Sequence, residues 1–222
     1  MNFNDIGFEL HDNILSAEEC TNLLAILNQH KLQPLTGGIR RIEQLVPEVA
    51  ALAQSQKLRA LASNYLSSKP ALVRAIYFDK SAENNWLVTW HQDRTVAVTD
   101  KFEAEGWGLW SRKADAWHVQ PPLEVLENMI TIRISLDASD RNNGCLKFLA
   151  GSHKVGIIKS TEMPVYTKDK AAIYCETPVG SALVMRPHIV HASEKALTQA
   201  PRRVLHFEYA GYALPKGIEW AA

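Results

Sequence analysis

A histidine and an aspartate stand two positions apart in TWHQDRTVAV, residues 89–98, a run whose other members would suit a buried strand. Alternate side chains of an extended chain share a face, so His91 and Asp93 project together while Gln92 turns the other way. Two imidazoles and one carboxylate on one side of a divalent ion form a common non-haem iron site, with positions left open for oxygen and substrate. His91 and Asp93 supply two of those three ligands. The third must come from a distant strand, and RPHIVHAS offers His188 and His191, which cannot both join without crowding. The bland readings are an orienting hydrogen bond within HxD and a histidine satisfied in the core.

A second charged feature follows. In RRVLHFEYA, period two puts Arg202, Val204, His206 and Glu208 on one face and Arg203 on the other. An inward guanidinium needs an anion, because an unpaired buried charge is too costly. Either a ligand carboxylate gripped by the guanidinium fork or a salt bridge to Glu208 would satisfy Arg202. Arg94 and Arg133 are candidates for pairing with an anionic group on a substrate, and Trp110 for contacting one.

These side chains need a scaffold. Ser16 and Glu19 have capping-box spacing ahead of Cys20, Leu23, Leu24 and Leu27 on one stripe, which predicts a helix from about Ala17. PEVAALAQSQKLRALASNYL reads as a second helical region with Pro47 in its first turn. From Ala71 the period becomes two, in ALVRAIYFD, NWLVTWHQD, MITIRISLD, GCLKFLAG, GSALVMRP and RRVLHFEYA. Short turn-bounded strands without long intervening helices predict antiparallel pairing. The expected fold is therefore mainly β with flanking helices: a jelly-roll, cupin-like double-stranded β-helix under an N-terminal helical layer. Residues 1–222 read as one domain. Asp140 to Gly144 reads as a hairpin turn, and residues 103–122, with Trp107, Trp110 and Trp117, as a long loop that either covers the site as a lid or fills an apolar layer.

Composition narrows the class. Lys plus Arg and Asp plus Glu number 24 each, so net charge advertises neither nucleic acid nor an anionic membrane as partner. Cys20, Cys145 and Cys175 are scattered and odd in number, which suits a reducing cytoplasm. The N-terminus lacks the basic and apolar regions of a signal peptide, and no apolar run approaches a membrane span.

The order HxD, LDASDRNNGCLKFLAGSH, HAS and an arginine eleven positions on resembles the phytanoyl-CoA dioxygenase family of Fe(II)- and 2-oxoglutarate-dependent oxygenases. WHQD, GWG, HVQPP and RPxxxHAS are similar to its short bacterial members, and the resemblance runs from SAEEC to RRVLHFEYA. It implies His91, Asp93 and His191 as iron ligands, and Arg202, Ser193 and Thr131 around the distal carboxylate of 2-oxoglutarate. It implies dioxygen as co-reactant, ascorbate as a useful addition in vitro, and hydroxylation of a small molecule with release of succinate and carbon dioxide. Arg133 stands where the family commonly has an aromatic residue, which implies a different substrate pocket. The ligand residues alone also fit a metal-dependent isomerase or lyase, or a non-catalytic module on the same fold.

Overall fold

Ser16 starts the first long helix as its spacing with Glu19 foretells. Ser16 Oγ accepts from the Glu19 amide at 3.1 Å and Glu19 Oε2 accepts from the Ser16 amide at 2.7 Å, which satisfies two donors that a helix start leaves orphaned. The computed structural model describes all 222 residues except 1, 31, 33–36, 82 and 114. Its helices are α1 (Phe3–Ile6), α2 (Ala17–Gln29), α3 (Ile42–Leu45), α4 (Pro47–Gln54), α5 (Gln56–Ser63), α6 (Leu123–Glu127) and α7 (Met163–Thr167). The second helical region is thus two helices, because Ser55 leaves helical backbone and caps α5 by accepting from the Leu58 amide at 3.3 Å.

The strands are β1 (Phe8–His11), β2 (Ile39–Arg40), β3 (Ala71–Lys80), β4 (Val88–His91), β5 (Val96–Val98), β6 (Gly108–Lys113), β7 (Ala116–Gln120), β8 (Met129–Ser135), β9 (Leu146–Phe148), β10 (Ile173–Cys175), β11 (Ala182–Met185), β12 (His191–Ser193) and β13 (Arg202–Ala210). Six form a major sheet in the order β1-β11-β8-β13-β3-β2, and four form a minor sheet in the order β10-β9-β12-β4. All pairings are antiparallel, and the two sheets make the jelly-roll core. β5, β7 and β6 form a small third sheet.

The helices cover the outer face of the major sheet. Leu27, Val49, Leu58 and Ala62 pack with Ile130, Ile132, Leu205 and Phe207 in one buried cluster. Each of the larger side chains among them contributes roughly 1.5–3 kcal/mol on leaving water, so this layer fixes the sheet firmly. Residues at even positions of β13 face the other way, into the interior. There the register makes rows across the sheet: Lys80 beside Arg202, Ile76 beside His206 beside Arg133, and Arg74 beside Glu208 beside Thr131.

Two expectations are corrected. The Asp140–Gly144 turn is tight, with Asp140 Oδ1 accepting from the Asn142 and Asn143 amides at 2.7 and 3.0 Å. It does not close a hairpin, however, because β8 lies in the major sheet and β9 in the minor one. The turn carries the chain from one sheet to the other. Second, residues 103–122 are no irregular loop: β6 and β7 pair within them, and Trp107, Trp110 and Trp117 pack with Phe102 on a cluster that includes Val119 and Met129. The aromatic side chains fill an apolar layer.

Candidate metal centre and its basic cavity

β4 ends at His91, and the next four residues, 92–95, leave the strand before β5. Gln92 is what locks this departure. Its Nε2 donates to the Gly156 and His188 carbonyls at 2.8 and 2.6 Å, and its Oε1 accepts from the Ile158 amide at 2.8 Å. With Gln92 held outward on three hydrogen bonds, its neighbours His91 and Asp93 are both left facing inward. The expectation that they project together holds, although Asp93 lies beyond the strand. On the facing strand β12, His191 pairs directly with His91, and the two rings stand 4.2 Å apart between centroids.

His191 Nε2 lies 3.6 Å from Asp93 Oδ2, and His91 Nε2 lies 3.5 Å from Asp93 Oδ1. One donor atom from each of the three falls within 4.8 Å of the others. Both rings are oriented in the same way: Nδ1 sits 2.9 Å from the carbonyl two residues back, Thr89 for His91 and Ile189 for His191. A carbonyl can only accept, so Nδ1 of each ring carries a proton and Nε2 is the atom turned toward the carboxylate. Burial lowers the His91 pKa, but the hydrogen bond and charge of Asp93 outweigh it and raise that pKa on balance. Burial, and after it the neighbouring His91, pushes the His191 pKa down to about 3, which keeps this imidazole neutral. The Asp93 carboxyl is held well below the usual carboxylate range: burial pushes it upward, but the two imidazoles outweigh that. Two imidazole nitrogens, His191 already neutral and His91 once it yields its Nε2 proton to an incoming ion, converge with an ionised oxygen on one point, so the donor set fits ferrous iron.

The triad opens on a cavity of about 300 Å³ between the two sheets. At one end lies Arg202, only 3% exposed, whose guanidinium has no hydrogen bond or acidic partner among the described residues and whose Nε is buried unpaired. Burial pushes its pKa down to about 10, so it stays charged at neutral pH. The salt bridge to Glu208 open from sequence does not form: Glu208 lies six residues along β13 and pairs with Arg74 at 2.7 Å. Arg203, on the opposite face, is neutralised by Asp137 through contacts of 2.7 and 2.8 Å. Ser193 lines the cavity near Arg202, its Oγ donating to the Gly144 carbonyl at 2.8 Å and accepting from Lys80 Nζ at 3.0 Å.

Arg133 also lines the cavity. Its Nη1 donates to His206 Nδ1 at 2.8 Å, which leaves the Nε2 proton of His206 to meet Glu208 Oε1 at 3.3 Å. Four other candidates lie elsewhere. Thr131 shares the Arg133 face but sits in the Glu208 row, about 20 Å along the strand direction from Arg202, so it does not join the carboxylate site. Trp110 is on the face of β6 opposite Lys113 and packs 5.3 Å from Phe102 and 6.2 Å from Trp117 between ring centroids. Arg94 lines a separate groove under α7, tethered to the Ile158 carbonyl at 3.1 Å and Ser160 Oγ at 3.0 Å. His188 is buried against His153, outside the triad.

Arg40, Arg74, Lys113 and His118 also line the cavity, and no motif in the sequence marks them. Arg74 was visible as an alternating strand residue on the Lys80 face. His118 and Lys113 were hidden because their hairpin was read as loop.

Known proteins share this architecture. The chain is 30% identical over 116 residues, 50% of its length, to a methylphosphonate hydroxylase of Gimesia maris, of which the match covers 43%. It is 23% identical over 230 residues to phytanoyl-CoA dioxygenase 1 of Oryza sativa subsp. japonica, covering 98% of this chain and 72% of that one. The solved structure of HygX from Streptomyces hygroscopicus with nickel and 2-oxoglutarate bound superposes with a TM-score of 0.68 at 14% identity, over 94% of this chain and 84% of that one, a likeness of fold. The family model of phytanoyl-CoA dioxygenase matches residues 3–204. With that match over nearly its whole length, the chain belongs to the phytanoyl-CoA dioxygenase family.

Proposed function

We propose that the protein is a non-haem Fe(II)- and 2-oxoglutarate-dependent oxygenase that hydroxylates a small molecule. The observation that carries this reading is the unpaired, buried Arg202 in the same cavity as the His91–Asp93–His191 triad. A metal-dependent isomerase or lyase on this fold has no use for such a guanidinium, whereas an oxygenase that consumes a dicarboxylate does. Family membership and the likeness to a methylphosphonate hydroxylase accord with it.

His91, Asp93 and His191 hold the iron, and Arg202 grips the distal carboxylate of 2-oxoglutarate with Ser193 as hydroxyl partner. Lys80, 1% exposed beside Ser193, adds a second cation to that end. Bound there, ferrous iron, 2-oxoglutarate and dioxygen supply the oxidising chemistry that places a hydroxyl on a C–H carbon and releases succinate and carbon dioxide. The chain's own work is orientation. The backbone carbonyls of Thr89 and Ile189 fix both imidazoles, Gln92 fixes the turn between two ligands, and Arg133 and His206 hold one another beside Asp93. The free, buried cysteines Cys20, Cys145 and Cys175 suit a cytoplasmic setting.

Purified protein supplied with Fe(II), ascorbate, dioxygen and labelled 2-oxoglutarate tests this. Labelled succinate that disappears in Asp93→Ala is the expected result. Equal turnover in Asp93→Ala and wild type would contradict it.

A further inference from the structure

The cavity holds more positive charge than iron and cosubstrate use. Arg40, Arg74, Lys113, Arg133 and Arg202 line it, against two carboxylates. One of these, Asp93, belongs to the metal centre, and the other, Glu208, is spent on Arg74 at 2.7 Å. A ferrous ion and a 2-oxoglutarate dianion cancel one another, so neither relieves the surplus. Arg40 and Lys113 have no acidic partner among the described residues, and Arg133 has only the neutral side of His206 and the Phe78 ring, 5.2 Å away.

Position separates these charges from the cosubstrate's anchor. Arg202 opens β13 beside Lys80, whereas Arg74 pairs with Glu208 six residues along and Arg40 pairs with Ile76. At about 3.3 Å per residue, the Arg202 and Arg74 rows lie roughly 20 Å apart, and a five-carbon diacid anchored at one cannot reach the other. The Arg74 end also presents an oriented donor. Arg74 Nη1 donates to His118 Nδ1 at 3.0 Å, so the His118 proton resides on Nε2. His118 comes from β7 and Lys113 from β6, so among the described residues the third sheet brings donors and no carboxylate to this end.

We infer that the primary substrate is a small anion, a carboxylate, sulfonate or phosphonate, whose charged head is held at the Arg40, Lys113 and His118 end while its C–H group faces the metal centre. The inference rests on the oxygenase reading and names the substrate class of that site. Basic residues at both ends of one cavity give each anion its own seat, and a neutral or cationic substrate would leave buried Arg133 and half-buried Arg40 uncompensated, with Lys113 at the exposed rim.

Calorimetric titration under nitrogen tests this, using protein loaded with Fe(II) and saturated with 2-oxoglutarate. The probes are propionate, ethanesulfonate and ethylphosphonate as anions, propionamide as a neutral match and ethyltrimethylammonium as a cation. At least one anion class binds at least tenfold tighter than propionamide, and the three anions show which head group is preferred. Arg40→Gln and Lys113→Gln each weaken that anion about tenfold, the equivalent of about 1.4 kcal/mol, and leave 2-oxoglutarate affinity within twofold. Equal binding of anion, amide and ammonium in protein that has taken up 2-oxoglutarate overturns the inference alone. So does loss of anion binding in Arg94→Gln with none in Arg40→Gln, which would seat the anion in the groove under α7. Failure to take up 2-oxoglutarate at all overturns the oxygenase reading and the inference with it.

Discussion

At the scale of single residues, Lys80 shows the sharpest conflict between burial and charge. It is 1% exposed, and burial, then Arg202 and Arg133, push its pKa down to about 7 from an ordinary 10.5. Below pH 7 both the folded and unfolded chains carry the proton, so the folded state bears the full penalty of the buried charge, and at pH 7 it still bears most of it. Between pH 7 and 10.5 only the unfolded chain is charged, and the penalty fades. Lys80→Met therefore stabilises ligand-free protein at pH 7 by on the order of 2 kcal/mol, after subtraction of the lost hydrogen bonds to Ser193 and the Glu194 carbonyl. Urea denaturation at pH 7 and pH 9 checks it: the gain over wild type shrinks at pH 9. A gain of the same size at both values would mean that Lys80 is not the group that loses its proton. Period-two alternation separated Arg202 from Arg203 and His91 with Asp93 from Gln92, but which face turns inward came from the family resemblance. It could not tell which acid each inward cation meets, because that depends on register between strands distant in sequence.

At the scale of elements, two connections hold the ligands. Gln92→Leu strips the Gly156 and His188 carbonyls and the Ile158 amide of their partner, and buried unsatisfied groups cost about 1–3 kcal/mol each. The variant is expected to lose at least about 2 kcal/mol in urea denaturation and to retain less iron after dialysis, since the turn that aims Asp93 is freed. Unchanged iron retention would show that strand pairing alone aims the carboxylate. Gly144, on the crossing from β8 to β9, has φ +79°, and a Cβ there would lie 2.5 Å from the Glu194 carbonyl and 3.0 Å from Lys80 Nζ. Gly144→Ala is expected to destabilise by about 1–3 kcal/mol and to weaken 2-oxoglutarate binding, because the Gly144 carbonyl also holds Ser193. Thermal melts with and without 2-oxoglutarate would show both effects. The strands were readable from their alternation and the α2 start from its capping box. The β8-to-β9 turn was misread because Asn and Gly report a tight bend and say nothing of which sheet receives the chain. The β6–β7 pair was missed because Gly, Pro and Trp obscured its alternation.

At the scale of the whole molecule, one helical layer stiffens the major sheet, the minor sheet supplies both histidines, and the space between them gathers the charge. Net charge reads as balanced across the chain, yet the cavity is strongly basic, a segregation that composition cannot reveal. Arg202, unpaired and buried beside the metal centre, is the anchor for a dicarboxylate on which the oxygenase reading depends. Titration of 2-oxoglutarate into Fe(II)-loaded protein under nitrogen, for wild type and Arg202→Ala with iron content measured in both, tests it most directly. Wild type is expected to bind saturably, one to one, and Arg202→Ala to bind about 100-fold or more weakly at equal iron content, the loss of a bidentate charged contact. Equal affinity in the two proteins would contradict it.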